Sequence, residues 1–165
     1  MTGTKLAAIQ RTCCFTGHRD IENRACPAVQ IKLRHAIRQL IEEAGVINFI
    51  AGGALGFDTL AAETVLSLKE EYPQIRLLLA LPCPEQTKKW KIGDVARYEK
   101  ILAACDKYVY ISDRYTPSCM YERNRFMIDH SAFCIAYLEN GKKGGTSYTV
   151  FHAQKKGLAV INLFE

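Results

Sequence analysis

Short β-branched and apolar runs alternate along this chain with longer stretches in which apolar residues return every three or four positions. The runs Thr12–Thr16, Val46–Ala51, Ile75–Leu81, Tyr108–Ile111, Phe133–Leu138 and Ala159–Leu163 predict strands. Several are almost continuously apolar, the pattern of strands covered on both faces. Between them Val29, Leu33, Ala36, Ile37, Leu40, Ile41 and Ala44 fall at helical spacing, with Pro27 near the start and Gly45 just past the end as boundaries. A second helix is expected from Phe57 to Glu71, burying Leu60, Ala61, Thr64, Val65 and Leu68, and Pro73 prevents its continuation. The spacing predicts three more helices, over Asp94–Cys105, Pro117–His130 and Thr146–Lys156, the last closed by Gly157. Strand and helix in alternation read as βαβ units, so the fold class is α/β with a mostly parallel sheet of about six strands.

Length and composition narrow this without changing it. A chain of 165 residues, 48% hydrophobic and 24% charged, suits one domain. Neither an internal repeat nor a low-complexity linker divides it. No apolar run approaches the roughly 18 residues needed to cross a bilayer, and Met1–Arg11 lacks the apolar stretch of a signal peptide, so a soluble cytoplasmic protein with no membrane partner is expected. Lys and Arg number 22 against 17 acidic residues, an excess of +5 that favours anions but is modest for a nucleic-acid binder. The seven cysteines contain no C-x-x-C pair, which argues for buried thiols in a reducing compartment and against a metal site or disulfide framework. No stripe marks an oligomer interface, although parallel-sheet proteins of this kind often self-associate.

Ligands of open parallel sheets bind beyond the carboxyl ends of the strands, which directs attention to the loops there. After the first strand comes Thr16-Gly17-His18-Arg19: a hydroxyl, a glycine that lets backbone amides approach an anion, an imidazole and a guanidinium able to grip phosphate or carboxylate. Singly, Arg19 could equally form a surface ion pair and His18 a loop hydrogen bond. After the second strand, Gly52-Gly53-Ala54-Leu55-Gly56-Phe57-Asp58 runs straight into a helix, a cradle for phosphate or ribose that has neither the G-x-G-x-x-G spacing nor a P-loop ending. Asp58 either accepts from a ribose hydroxyl or caps the helix.

The third strand leads to Cys83, without an activating base in view, and to Lys88, Lys89 and Trp90, a tryptophan more readily explained by packing than by base stacking. Arg123 and Asn124, as neighbours, cannot share one narrow helical face, yet either reaches over the strand ends from the early turns of its helix. Asp129 falls in a similar sector, or pairs at the helix end. Gly144-Gly145-Thr146 opens the final helix as a second glycine-rich entry. Two such entries after different strands suggest that Gly52, Gly53, Gly144 and Gly145 converge on one anionic ligand.

Together, Phe15-Thr16-Gly17-His18-Arg19, Ala51–Asp58, Arg123-Asn124 with Asp129, and Gly144-Gly145-Thr146 resemble the YpsA-like family of the SLOG superfamily. The likeness runs from Cys13 to Leu163. It implies a Rossmann-like three-layer domain and a site for a nucleotide or nucleotide-derived small molecule, serving a sensor, a regulator or a nucleotide-processing enzyme. It names no cofactor. In the LOG-type phosphoribohydrolases of the superfamily a glutamate follows the late glycine motif and serves catalysis; Thr149 stands in that place here, which disfavours N-glycosidic hydrolysis, leaving Asp58 or Glu122 for acid or base work. The DprA-like branch suggests a rival, single-stranded nucleic-acid binding, for which Lys88, Lys89, Lys91, Lys142, Lys143, Lys155 and Lys156 supply charge but no dense basic run interleaved with aromatics.

Overall fold

The computed structural model describes residues 3–164. Its helices are α1 (Gly3–Gln10), α2 (Cys26–Ala44), α3 (Phe57–Leu68), α4 (Ile92–Ala104), α5 (Cys119–Asp129) and α6 (Gly145–Lys155). Its strands are β1 (Thr12–Gly17), β2 (Asn48–Ala51), β3 (Arg76–Leu81), β4 (Lys107–Tyr110), β5 (Phe133–Tyr137) and β6 (Ala159–Asn162). All pairings are parallel, in the order β4-β3-β2-β1-β5-β6. The fold is α/β and Rossmann-like.

The period-two alternation of each strand sorts the core into two layers. Cys13 and Phe15 of β1, Phe49 and Ala51 of β2, Leu77, Leu79 and Leu81 of β3, and Ile135 of β5 pack with the buried stripes of α2 and α3. Cys14, Ile50, Ala80 and Cys134, the intervening residues, meet Met127 and Ile128 of α5 and Ala153 of α6 on the other face. The connectivity accounts for this division. Three successive crossovers, β1 to β4, step outward in one direction and place α2, α3 and α4 on one face. The chain then recrosses the sheet to β5, stepping the other way, and right-handed crossovers put α5 and α6 on the opposite face.

Local sequence sets the helix limits. Pro27 stands in the first turn of α2, and Gly45 in the left-handed region ends it while Val46 N–H donates to the Leu40 carbonyl at 3.1 Å. Helix α3 stops at Leu68, before the expected Glu71, where the amides of Lys69 and Glu71 turn back three residues, to the Leu66 and Leu68 carbonyls, instead of four. Two features lie outside the pattern read from the sequence. Helix α1 has no signature in the hydrophobic pattern because none of its residues is buried. The edge strand β4 is not covered on both faces: Lys107, Tyr108 and Val109 are exposed. Five of the seven cysteines are buried and all are free. No helix of the described residues is long and apolar enough to cross a membrane.

Candidate functional site

The strand order reverses at β1, whose two neighbours are β2 on one side and β5 on the other. Loops leaving the carboxyl ends there diverge to opposite faces and leave a crevice. A cavity of about 270 Å³ occupies it, lined by Phe15, Thr16, Gly17, His18 and Arg19 after β1, by Ala54 and Asp58, by Met120, Arg123, Asn124 and Met127 of α5, and by residues 143–147 at the start of α6.

Two guanidiniums meet in this cavity. Arg123 is buried; its Nη1 donates to the Gly52 carbonyl and its Nε to Asn124 Oδ1 at 2.8 Å. Its Nη2 lies 3.9 Å from the Met120 sulfur, and Nη2 of exposed Arg19 approaches that same sulfur at 3.3 Å. A thioether is a weak acceptor. No acidic side chain among the described residues forms a salt bridge with either arginine. Both guanidiniums therefore keep donor capacity for an incoming anion. Burial pulls the pKa of Arg123 down, with Asp58 opposing and Arg19 adding to the fall.

Asp58 is the acidic residue among those lining the cavity. It lies in the first turn of α3 yet is buried, and its Oδ2 accepts from Ala54 N–H at 3.3 Å, tying the glycine loop to the helix. Burial raises its pKa against the pull of Arg123 and that amide. His18 lines the cavity with its ring committed elsewhere: Nε2 accepts from the Glu139 amide at 2.9 Å, which joins the loop after β1 to the loop after β5. Its pKa is lowered, by burial first and by Lys142 second.

The glycines divide by what fills the space of their missing Cβ. At Gly52 a Cβ would sit 2.7 Å from Arg123 Nη1 and 2.9 Å from Asp58 Oδ2, so this glycine makes room for the charged pair. Gly53, at φ +71, packs against Leu81 and Tyr98 and gives its carbonyl to Gln86 Nε2. Gly56 meets the backbone carbonyls of His18 and Arg19, and Gly17 meets the Phe57 ring. Gly52, Gly53 and Gly56 thus stand behind the cavity wall; the two Gly-Gly segments do not face each other across it. At Gly144 and Gly145, by contrast, a Cβ would point into open space. Gly144 needs its φ of 142° to start the helix, whereas Gly145 has no such demand. The first helical bond here is Tyr148 N–H to the Gly144 carbonyl, at 3.1 Å. The amides of Gly145, Thr146 and Ser147 precede it and have no acceptor within the helix.

The remaining predicted residues fall on both sides of that wall. Arg123 and Asn124 both line the cavity although neighbours on a helix diverge, because the Arg123 side chain folds back on Asn124. Asp129 points away and pairs with Lys156 at 3.3 Å. Thr149 is buried, its hydroxyl donating to the Gly145 carbonyl at 2.8 Å. Glu122 is exposed and accepts from Ser118. Trp90 packs edge-on against Tyr98, and Cys83 is buried with its thiol pKa raised by that burial. Met120, Met127 and Ser147 line the cavity without having been singled out, and Lys143, named only as surface charge, joins them; apolar periodicity marks Met120 as a core residue, and only the fold reveals it as the point where two arginines meet.

Residues 13–160 match the YspA SLOG family. The chain belongs to that family. Among its relatives, the uncharacterized SPbeta prophage-derived protein YoqJ of Bacillus subtilis (strain 168) is 32% identical over 136 residues, covering 75% of this chain and 79% of the relative. The UPF0398 protein YpsA of the same strain is 26% identical over 151 residues, covering 86% and 83%. The fold is similar to DNA processing protein A from Helicobacter pylori, solved in a study of its single-stranded DNA binding mode, with a TM-score of 0.60 at 17% identity over 96% of this chain and 68% of that one. For this SLOG family member the likeness establishes the fold.

Proposed function

We propose that this SLOG protein binds a nucleotide or nucleotide-derived small molecule at the strand ends, with its phosphate in the cavity between Arg19, Arg123 and the first turn of α6. The observation that carries this reading is the approach of both guanidiniums to the one Met120 sulfur. Two like charges sharing a poor acceptor gain by taking an anion between them, and a phosphate accepts from planar guanidiniums in the geometry they offer. The free amides of Gly145 and Thr146, at the positive end of α6, add donors on the opposite wall. Gly145 keeps this wall low although nothing in the protein requires a glycine there. Asp58, set deeper, would receive a ribose hydroxyl.

Calorimetric titration with the four nucleoside monophosphates and with ribose 5-phosphate tests the reading. Binding that weakens at least tenfold in an Arg19→Ala protein supports it; absence of binding by the native protein rejects it. Chromatography of the same mixtures for released base separates a sensor from a phosphoribohydrolase. A second reading, single-stranded nucleic-acid binding, draws on the likeness to the Helicobacter pylori protein. Oligonucleotide affinity that falls steeply with salt, and exceeds that for monophosphates, would favour it.

A further inference from the structure

Beside the cavity, on the seam between α5 and α6, lies an aromatic pair that the phosphate site leaves unused. The rings of Tyr121 and Tyr148 are 5.0 Å apart between centroids and tilted by 40°, and their hydroxyls hydrogen-bond to one another. Although both hydroxyls are engaged, Tyr121 is 39% and Tyr148 41% exposed. The Arg125 guanidinium lies 5.8 Å from the Tyr121 centroid, and His152 stacks on Tyr148 at 6.2 Å with the planes 8° apart. On α5 Tyr121 stands one turn before the cavity residue Asn124, and on α6 Tyr148 stands one turn after Gly144 and Gly145, so each tyrosine shares a helix face with a residue of the cavity lining. The rings therefore stand next to the cavity's α5–α6 side.

We propose that Tyr121 and Tyr148 form the stacking surface for a nucleobase whose phosphate sits in the cavity. This rests on the nucleotide reading above and adds which side chains receive the base. An aromatic face accepts any base by stacking, and rings fixed by their mutual hydrogen bond lose little freedom when they do so. Arg125 on Tyr121 and His152 on Tyr148 support the rings from their own helices, leaving the shared side of the pair for the ligand. A free nucleotide and the end of a single strand present the same phosphate-linked base, so the chemistry named here is common to both.

The test uses full-length protein carrying Tyr121→Leu and Tyr148→Leu together, with a Tyr121→Phe, Tyr148→Phe protein as the conservative counterpart and cooperative thermal unfolding confirmed for each. Affinities are measured for adenosine 5′-monophosphate, ribose 5-phosphate and a 5′-phosphorylated single-stranded octanucleotide. The expected result is a loss of about tenfold or more for the monophosphate in the leucine protein, retention in the phenylalanine protein, and unchanged affinity for ribose 5-phosphate. Equal monophosphate affinity in native and leucine proteins, with ribose 5-phosphate still bound, overturns the stacking surface and leaves the phosphate site standing. Failure of the native protein to bind any of the three overturns both. Tighter, salt-steep binding of the octanucleotide that the leucine changes also weaken assigns the base to a nucleic acid strand; weaker binding of it assigns the base to a free nucleotide.

Discussion

Arg19, in the loop after β1, and Arg123, on α5, approach one sulfur atom, that of Met120, at 3.3 and 3.9 Å. Their settings differ, and so do their expected substitution effects. Arg19 is exposed, so Arg19→Ala should shift stability by no more than about 0.5 kcal/mol while weakening phosphate-ligand binding ten- to a hundredfold, the worth of a charged hydrogen bond. Arg123 is buried on the Gly52 carbonyl beside Asp58. Arg123→Ala should lower the unfolding free energy by about 3 kcal/mol, because an acceptor and a carboxyl are left buried without their cation. Urea unfolding and calorimetry on the two variants check the contrast.

Alanine at two glycines should separate folding from binding. Gly53, at positive φ and packed on Leu81, should cost about 1–3 kcal/mol when replaced. Gly145→Ala meets open space in a helical first turn and should leave stability within about 1 kcal/mol of native. Its methyl would project beside the amides that face the cavity, so ligand affinity should fall. Melting temperature against dissociation constant, measured for both proteins, shows whether the effects divide in this way.

His18 gives the site an acid limit. Its folded pKa lies below the ordinary 6.5 because burial and Lys142 oppose its charge. Above pH 6.5 both folded and unfolded forms are neutral and the contribution is complete. As pH falls below 6.5 the unfolded chain takes the proton first, and stability is lost down to the lowered folded value. The protonated ring can no longer accept from Glu139 N–H, so the protection factor of that amide, its exchange rate relative to the free peptide, should fall as pH drops through the lowered folded value and stay flat in His18→Asn. Hydrogen exchange followed by NMR reports it.

Asp58 acts with the opposite slope. Burial raises its pKa above the ordinary 3.8, so the folded protein holds this proton more firmly than the unfolded chain does. Its stabilising contribution is complete below 3.8 and declines as pH rises through the raised folded value. Asp58→Asn removes that decline. The difference in urea midpoint between native and Asp58→Asn proteins, followed from pH 3 upward, should move in favour of the variant as pH rises.

Sequence reasoning reached the sheet more fully than the site. Six strands could be read, β1, β2, β3 and β5 because burial on both faces keeps them apolar, and β4 and β6 from their β-branched and aromatic residues alone. Helix α1 could not, since a helix that buries nothing carries no periodic stripe. Within the site, the arginines and the α6 glycines were visible as unusual residues after strands. The spatial role of Gly52, Gly53 and Gly56 was not, because a glycine making room for Arg123, Leu81 or a neighbouring carbonyl has the same letter as one making room for a ligand. Asp129 misled through its position near Asn124, and helix rotation turned it toward Lys156. Tyr121 and Tyr148 meet only after two helices dock, and no local pattern announces such a meeting.

The recrossing of the chain from β4 to β5 gives the cavity an unusual dependence on assembly. Arg19 and Asp58 belong to a segment made earlier during synthesis, Arg123 and Gly145 to one made later, and neither segment owns a complete wall. A molecule lodged there would act as a clasp across the sheet, holding the late strands against the early ones. At a hundred times its dissociation constant it would add about 2.7 kcal/mol to the folded state, so resistance to proteolysis would itself report how much of that molecule surrounds the protein.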